Sequence, residues 1–491
     1  MIYDDYPAQV IVAGAGPTGL MLAGELRLAG VDVVVLERDS NRGKQSRALA
    51  MHARTVEALA QRGIANRLNG TVITRGHFAE ISLDFSVLDG DYPGVMLIEQ
   101  WRTENVLTQW AGELGTQIRR GHAVTGIVDR PGGIEVNVTG PDGEYTIAGR
   151  YLVGADGGHS TIRTLLGVEF PGTVATHEAL VGDVVDLPEN LPRGFQRYDV
   201  GEIAIFPLEE GLIRVMAYVY DAPPRRDPKP PSFEELAANV RLISGYDISQ
   251  GTASWVSRFG NAARQAAHYR RGQTFLAGDA AHIHSPYGGQ GLNLGVQDAV
   301  NLGWKLAAAV HGWAPPTLLD TYHSERHPVA SRVLFNTRAQ DPLVGGPEVE
   351  PLRQYLTEIF AIPEVNERIS GEMSGLDIQY AVGPGHHPLL GRRMPNHRLI
   401  TSAGTRTSTA ELLHGGRALL LDFSDGHTYE QDGVGWSDRI DIVGATSSGL
   451  DPAEALLVRP DGYVAWVAGV GEPLQDALGR WFGNPTVAAR I

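Results

Sequence analysis

The sequence predicts an α/β protein: a parallel nucleotide-binding core, an antiparallel sheet inserted into it, and a small α/β unit at the end. Three observations carry this. The apolar run Gln9-Val10-Ile11-Val12-Ala13 leads into Gly14-Ala15-Gly16-Pro17-Thr18-Gly19, after which apolar residues recur at helical spacing. Gly154-Ala155-Asp156-Gly157 and Gly278-Asp279-Ala280-Ala281-His282 each set an acid beside glycine just after a short apolar strand. Between these two, residues 179–260 read as strands of a larger antiparallel sheet.

The first stretch is a dinucleotide fingerprint. Gly14 permits the tight strand-to-helix turn, Gly16 lets main chain approach a pyrophosphate, and Gly19 lets helix and strand pack closely. The N–H groups and positive dipole end of the helix suit phosphate. The next strand, Asp32 to Leu36, ends in Glu37, whose carboxylate is placed to accept ribose hydroxyls. A helix over Thr55 to Gly63, a helix over Glu104 to Gly115 and a strand over Thr116 to Arg120 follow. A meander then runs over 125–129, 133–139 and 145–148, turning at Pro141-Asp142-Gly143. Tyr151 to Ala155 returns to a buried strand.

In the insert, strands are expected over 179–187, 202–208, 212–220 and 252–259. The proline-rich 223–231 reads as an exposed loop. Ser232 is a helix cap for 233–244, with Glu235 completing a capping box. Long helices are expected over about 291–311 and 315–338. After about Pro395, strands near 419–422, 440–443 and 456–466 form a small unit with no chemical motif, read as structural or dimer-forming.

With 491 residues the chain is too long for one core. A net charge of −16 argues against nucleic acid and anionic membrane as partners. No apolar run reaches membrane-spanning length, and the acidic start is no secretory signal. The absence of cysteine excludes disulfides, thiol catalysis and a cysteine-linked cofactor, and fits a cytoplasmic protein.

Asp156 and Asp279, each ending a strand, suit the hydroxyls and phosphates of a flavin nucleotide; the bland alternative is that each caps a helix. Ser285-Pro286-Tyr287-Gly288-Gly289-Gln290-Gly291-Leu292-Asn293 leads into a helix. Its glycines let main chain lie flat on a ring system, and the N–H groups of Leu292 and Asn293 suit the flavin N1–C2=O edge. Together the motifs name non-covalent FAD.

On these residues, Gly154–Arg163, Gly278–His282 and Pro286–Asn293, the chain resembles the single-component (class A) flavoprotein aromatic hydroxylases, of which p-hydroxybenzoate hydroxylase is the familiar type. The wording of 24–30 and 318–326 is most similar to bacterial aromatic-polyketide hydroxylases, angucycline oxygenases among them. The resemblance implies a glutathione-reductase-type Rossmann-like FAD domain (1–72, 98–178, 262–395), a substrate-binding β-sheet domain (73–97, 179–261) and a thioredoxin-like C-terminal domain (396–491). That last domain has no redox dithiol, because the chain has no cysteine. The resemblance places Arg38 and Arg47 near the nucleotide, Gln100 near the flavin and Val124 at the adenine. Trp101-Arg102 departs from the smaller residues expected there.

The resemblance further implies NADPH (or NADH) and O2 as co-substrates, with a flavin C4a-hydroperoxide hydroxylating a polycyclic aromatic polyketide. No second glycine fingerprint serves the nicotinamide nucleotide. The cofactor carries the chemistry, so the chain need supply only positioning, water exclusion and a base. Candidates near the substrate are His77, Arg102, Arg214, Tyr218 and Pro286. The His282/His284 pair has no carboxylate at ligand spacing, so no metal is expected. Alternatives are an antibiotic-inactivating monooxygenase acting on rifamycin- or tetracycline-like rings, a flavin dehydrogenase that does not use O2, and a flavin-binding scaffold.

Overall fold

The computed structural model describes residues 8–43, 46–208, 211–225, 229–447 and 453–486. Ala8–Ala13 and Val33–Glu37, rich in valine and isoleucine, are adjacent parallel strands, with Val10 opposite Val33 and Ala13 opposite Leu36. Gln117–Arg120 extends the sheet on one side; Gly143–Gly154 and then Thr274–Leu276 extend it on the other, all parallel. Helix Pro17–Leu28 packs against helices Gln290–Val310 and Gln100–Glu113. A Cβ on Gly24 would stand 2.0 Å from the Trp110 ring, so only glycine permits this approach.

The sequence reading split residues 145–155 into two strands. The structure joins them in one, Gly143–Gly154, whose first half pairs antiparallel with Gly133–Gly140 and whose second half pairs parallel with Ala8–Ala13. One long strand thus serves both the meander and the core. The helix expected from Glu104 begins at Gln100, which makes Gln100 its first residue. The helix expected from Pro315 begins at Asp320. Pro315 and Pro316 supply no N–H, and the residue before a proline avoids helical backbone, so 315–319 form turns.

The inserted sheet has the order 194–198, 201–207, 213–219, 178–185, 252–260, antiparallel throughout. Its edge strand Gly194–Tyr198 was missing from the sequence reading. The sheet is two-sided. Leu180, Val184, Ile203, Ile205 and Val215 pack under helix Phe233–Ser244. Val181, Ala204, Met216 and Tyr218 point the other way, into a cavity. Ser232 Oγ accepts the Glu235 N–H at 3.3 Å, while the Glu235 carboxylate takes Arg258 at 2.9 and 3.0 Å. Of the proline-rich loop, 226–228 lie outside the described residues.

Helices Glu350–Phe360 and Pro363–Ser374 pack on the hairpin Arg75–Phe78/Ile81–Asp84. The final unit is a six-stranded sheet, with Ala418–Asp422 parallel to Ile440–Ser447 and antiparallel to Ala455–Val458. Its hydrophobic core continues into Trp304, Ala308 and Leu318. No helix among the described residues is long and apolar enough to cross a membrane.

Candidate active site

A continuous cavity of about 1310 Å³ runs from the fingerprint turn to the inner face of the inserted sheet. Binding sites for a single small ligand usually measure about 300–1,000 Å³, so this one has room for a nucleotide and a second molecule. Its three regions come from different parts of the chain.

The nucleotide end is walled by Gly14, Gly16, Pro17, Thr18, Glu37, Arg38, Arg47, Val124, Asp156, Gly157 and Asp279. Glu37 is held in place by the N–H groups of Ala15 (2.8 Å) and Asp39 (3.0 Å). Ala15 and Gly19 stand behind the wall. A Cβ on Gly19 would meet the Gly14 carbonyl oxygen at 2.0 Å, which is the close helix–strand contact expected of it. Gly16 and Gly157, by contrast, have nothing within 4 Å of where a Cβ would stand, so the main chain is bare toward the cavity. A bare helix N-terminus beside a carboxylate at the end of the adjacent strand fits the pyrophosphate and ribose of FAD.

The two acid–glycine motifs differ in use. Asp156 accepts Ser160 Oγ at 2.5 Å and the Ile162 N–H at 3.1 Å, so it caps helix Thr161–Leu166 while lining the cavity. Asp279 is exposed to the cavity. Arg163 joins the motifs, donating to Ala280 O (2.9 Å) and Gly158 O (2.8 Å). Fully buried Asp298 accepts the Gly278 N–H (3.1 Å), His282 Nε2 (2.7 Å) and Arg326 Nε (2.7 Å). Arg163 ends the Gly154–Arg163 motif, whereas Asp298 belongs to no motif and has no local signal in the sequence. His282 is thus committed to a carboxylate inside the wall, while His284 lines the cavity.

At the middle of the cavity, Pro286, Tyr287, Gly288, Gly289, Gly291 and Leu292 form one side, and Leu49, Ala50 and His52 another. The helix starts at Gln290, so its unpaired N–H groups are those of Gln290, Gly291 and Leu292. Asn293 lies deeper, away from the cavity. Its Oδ1 accepts the His52 N–H at 2.8 Å, and its Nδ2 donates to Ala50 O (3.0 Å) and Gly289 O (2.8 Å). It clamps this region. Gln100 lines the cavity, accepting the Ala48 N–H at 3.1 Å and donating to Glu104 at 2.8 Å.

The far chamber is lined by His77, Phe195, Phe206, Met216, Tyr218 and Phe259, with Glu80, Glu202 and Arg214 among them. Four of the five substrate-side candidates therefore meet at the cavity: His77, Arg214, Tyr218 and Pro286. Arg102 does not. It pairs with Glu99 at 3.0 Å and stacks over Trp101. Arg214 is no free base either: it binds Asp183 at 2.8 and 2.9 Å and donates to the carbonyls of Ser46 and Arg47. It ties the inserted sheet to the loop that borders the nucleotide.

Burial pushes the His77 imidazole down to about 4, and His52 adds to this. His77 is therefore neutral near pH 7; its Nδ1 accepts the Glu80 N–H at 3.3 Å, and its ring meets Phe195 edge-on. Between about pH 4 and 6.5 the unfolded chain protonates this histidine while the folded protein does not, so stability falls as pH drops through that window. His77→Phe is expected to flatten this part of the curve of thermal midpoint against pH. A slope unchanged from wild type would contradict the assignment. Burial likewise pushes the Tyr218 hydroxyl well up and keeps it protonated.

A nucleotide cleft of this geometry beside an aromatic-lined chamber fits a flavoprotein monooxygenase, and the comparisons with known proteins agree. Residues 7–337 match the FAD binding domain family, and residues 387–485 match the aromatic-ring hydroxylase C-terminal family. The chain belongs to the FAD-dependent aromatic-ring hydroxylases. It is 44% identical to anhydrotetracycline monooxygenase of Streptomyces rimosus, over 97% of this chain and 99% of that one. It is 43% identical to rifampicin monooxygenase of Streptomyces venezuelae, again over 97% and 99%. Among solved structures it matches CabE, an aromatic hydroxylase from angucycline biosynthesis, with a TM-score of 0.93 and 48% identity over 97% of this chain and 99% of that chain.

Proposed function

We propose that this protein hydroxylates a polycyclic aromatic polyketide, taking two electrons from NADPH or NADH and one oxygen atom from O2, the other oxygen leaving as water. The observation that carries this is the single cavity joining the nucleotide cleft to an aromatic-lined chamber with volume for a fused-ring guest. Bound FAD supplies the hydride acceptor and the oxygen-activating ring. Gly16, Glu37, Asp156 and Asp279 would hold its nucleotide and ribitol parts, and the N–H groups of Gly291 and Leu292 would face the ring. Phe195, Phe206, Met216 and Phe259 press water out of the chamber and hold a flat guest against the Pro286–Leu292 side. We read residues 1–72, 98–178 and 262–395 as the FAD-binding part, 73–97 and 179–261 as the substrate part, and 396–491 as thioredoxin-like. A cytoplasmic setting is part of the same reading, as is a homodimer.

The test is aerobic turnover of the FAD-loaded protein with NADPH and with NADH, offered anhydrotetracycline and other hydroxylated fused-ring aromatics. The expected result is guest-stimulated nicotinamide oxidation and a product heavier by one oxygen. Oxidation that proceeds equally well without O2 would instead mark a dehydrogenase. The 43% identity to a rifampicin monooxygenase supports a second reading, in which a rifamycin-type antibiotic is the guest. Rifampicin in the same assay separates the two.

A further inference from the structure

Glu80 and Glu202 belong to no motif, yet both line the chamber. Glu80 sits at the tip of the hairpin Arg75–Phe78/Ile81–Asp84, where Ala79 and Glu80 have positive φ angles of 45° and 66°. Consecutive left-handed residues other than glycine are unfavourable and persist only when their surroundings impose them. Here they do. Gln340 Oε1 accepts the Ala79 N–H at 2.8 Å, and Arg353 donates to the Ala79 carbonyl at 2.6 Å. Glu202 arrives from the sheet, where it alternates with Ile203 and Ile205 of the core and shares the cavity face with Ala204 and Phe206. An apolar residue would suit that face; the chain has a carboxyl there.

Both side chains are withdrawn from bulk water: the Glu80 side chain is 5% exposed and Glu202 is 8% exposed. The two carboxyls lie near enough for each to act on the charge of the other. Two carboxylates this close and out of water favour a state in which one retains a proton. Glu80 Oε1 and Glu202 Oε2 are both buried and find no donor elsewhere among the described residues, as a shared proton requires.

We propose that the Glu80–Glu202 pair is the proton acceptor for a phenolic hydroxyl of the aromatic guest, an inference that rests on the hydroxylase reading above. The phenol O–H bond gives its proton to the ionised member, and the electron pair left on oxygen enriches the ring. The ring carbon that gains oxygen then releases its hydrogen as a proton, which leaves in the water formed from the second oxygen atom, and the pair returns the borrowed proton to the phenol oxygen. The pair ends as it began.

The surroundings suit this role. Arg197, opposite Glu202 in the sheet, and Arg353, 3.9 Å from Glu80, favour one negative charge on the pair. Burial raises both carboxyls, and the Glu80 charge raises Glu202 further. Tyr218, Tyr220 and Tyr287 face the same end and are held protonated by burial, with Asp341 adding to this for Tyr218 and Tyr287. His77 is held neutral. A base that titrates near the working pH is the effective kind.

The experiment uses the full-length, FAD-loaded protein with 2-naphthol as the probe. Infrared difference spectra of the wild type should show a protonated-carboxyl carbonyl band that titrates well above the ordinary carboxylate range. Glu202→Gln and Glu80→Gln should each lose it. Glu350→Gln, an exposed carboxyl near Arg197, should keep it. Naphthol affinity should rise with pH across the same titration in the wild type, and fall about tenfold or more, without pH dependence, in the two pair variants. With a turned-over guest, the rate should fall about 10²–10⁴-fold and the pH limb that the pair sets should vanish. Glu202→Asp should restore part of the limb. No such band in the wild type, no naphthol binding, or an intact limb in both pair variants overturns the proposal. The infrared and binding arms need no turnover. A missing product with those arms intact sinks the hydroxylase reading alone, and product formed without the band sinks the pair alone.

Discussion

Gly16→Val abolishes FAD binding and leaves the apoprotein folded. Gly16 precedes the first helix with φ −78° and ψ −178°, extended backbone that any residue adopts. A Cβ there touches nothing within 4 Å, so the fold loses little beyond the modest preference for glycine over valine at a helix cap. The space it enters is the cavity, beside the helix N–H groups that would receive the pyrophosphate. Two methyl groups there forbid that contact. The expected result is at least a hundredfold loss of FAD affinity, measured by titration of flavin fluorescence, with a thermal midpoint of the apoprotein within a few degrees of wild type. The matched control is Gly14→Ala. Gly14 has φ +106°, and its Cβ would lie 2.3 Å from the Ala155 carbonyl oxygen, so this change costs folding itself. If Gly16→Val binds FAD normally, the nucleotide lies elsewhere.

Arg459→Met loosens the C-terminal unit from the rest of the protein. Arg459 is completely buried and donates to Glu325 at 2.6 and 2.8 Å and to Asp461 at 3.0 Å. Lys305 also reaches Glu325 at 2.8 Å, and Asn301 reaches Asp461 at 3.2 Å. The same turn offers its Pro460 and Asp461 carbonyls to Arg62 and Arg54, each at 2.8 Å. Removing the guanidinium leaves buried Asp461 without a cation and Glu325 with Lys305 alone, a loss of about 3–5 kcal/mol. It should appear as a clear drop in thermal midpoint and as altered emission from Trp304 and Trp481, which flank the guanidinium. The pH dependence carries a sign. Burial alone would raise Glu325, but Arg459 and Lys305 outweigh it and hold it at about 2. Its folded value is below its unfolded one, so the stabilisation is present above the ordinary glutamate range and is lost as pH falls toward 2. Without Arg459 that acid loss sets in at milder pH. A variant with wild-type stability and acid response would show that the network contributes nothing net.

That network also shows where sequence reading stops. Arg459-Pro460-Asp461-Gly462 stood in view as a hairpin turn in a unit without chemistry. Its partners Glu325 and Lys305 lie on other elements more than a hundred residues away, and no local pattern links them. The fingerprint, by contrast, was legible because its constraints are local. The Gly14 turn and the Gly19 contact that closes on it lie within a few positions, and Glu37 follows on the next strand. The long helices and most strands of the inserted sheet were legible for the same reason. The edge strand 194–198 and the hairpin 398–408 were not, for both are short and half-exposed, with little alternation to mark them.

The candidate site divides along the same line. Gly16, Glu37, Asp156, Asp279 and the Pro286–Leu292 loop follow from motif and spacing, since a phosphate, a ribose and a flat ring impose fixed needs on main chain and carboxylate. His77 and Tyr218 were reachable as polar residues on strands facing the insert. Arg102, two positions after Gln100, is off the cavity and held on Glu99, because successive positions on a helix face different ways. Asn293 was one position too deep for the same reason.

The sequence alone determined the kind of cofactor, the parallel core and the antiparallel insert, because each is written in glycine placement and hydrophobic period over short windows. Only the tertiary structure decided that Glu80 and Glu202 meet, that Arg214 is spent on Asp183, and that a single turn near residue 460 plugs the interface. Burial and partnership set the charge state and reach of a side chain, and both depend on which distant segments the fold brings within a few ångströms.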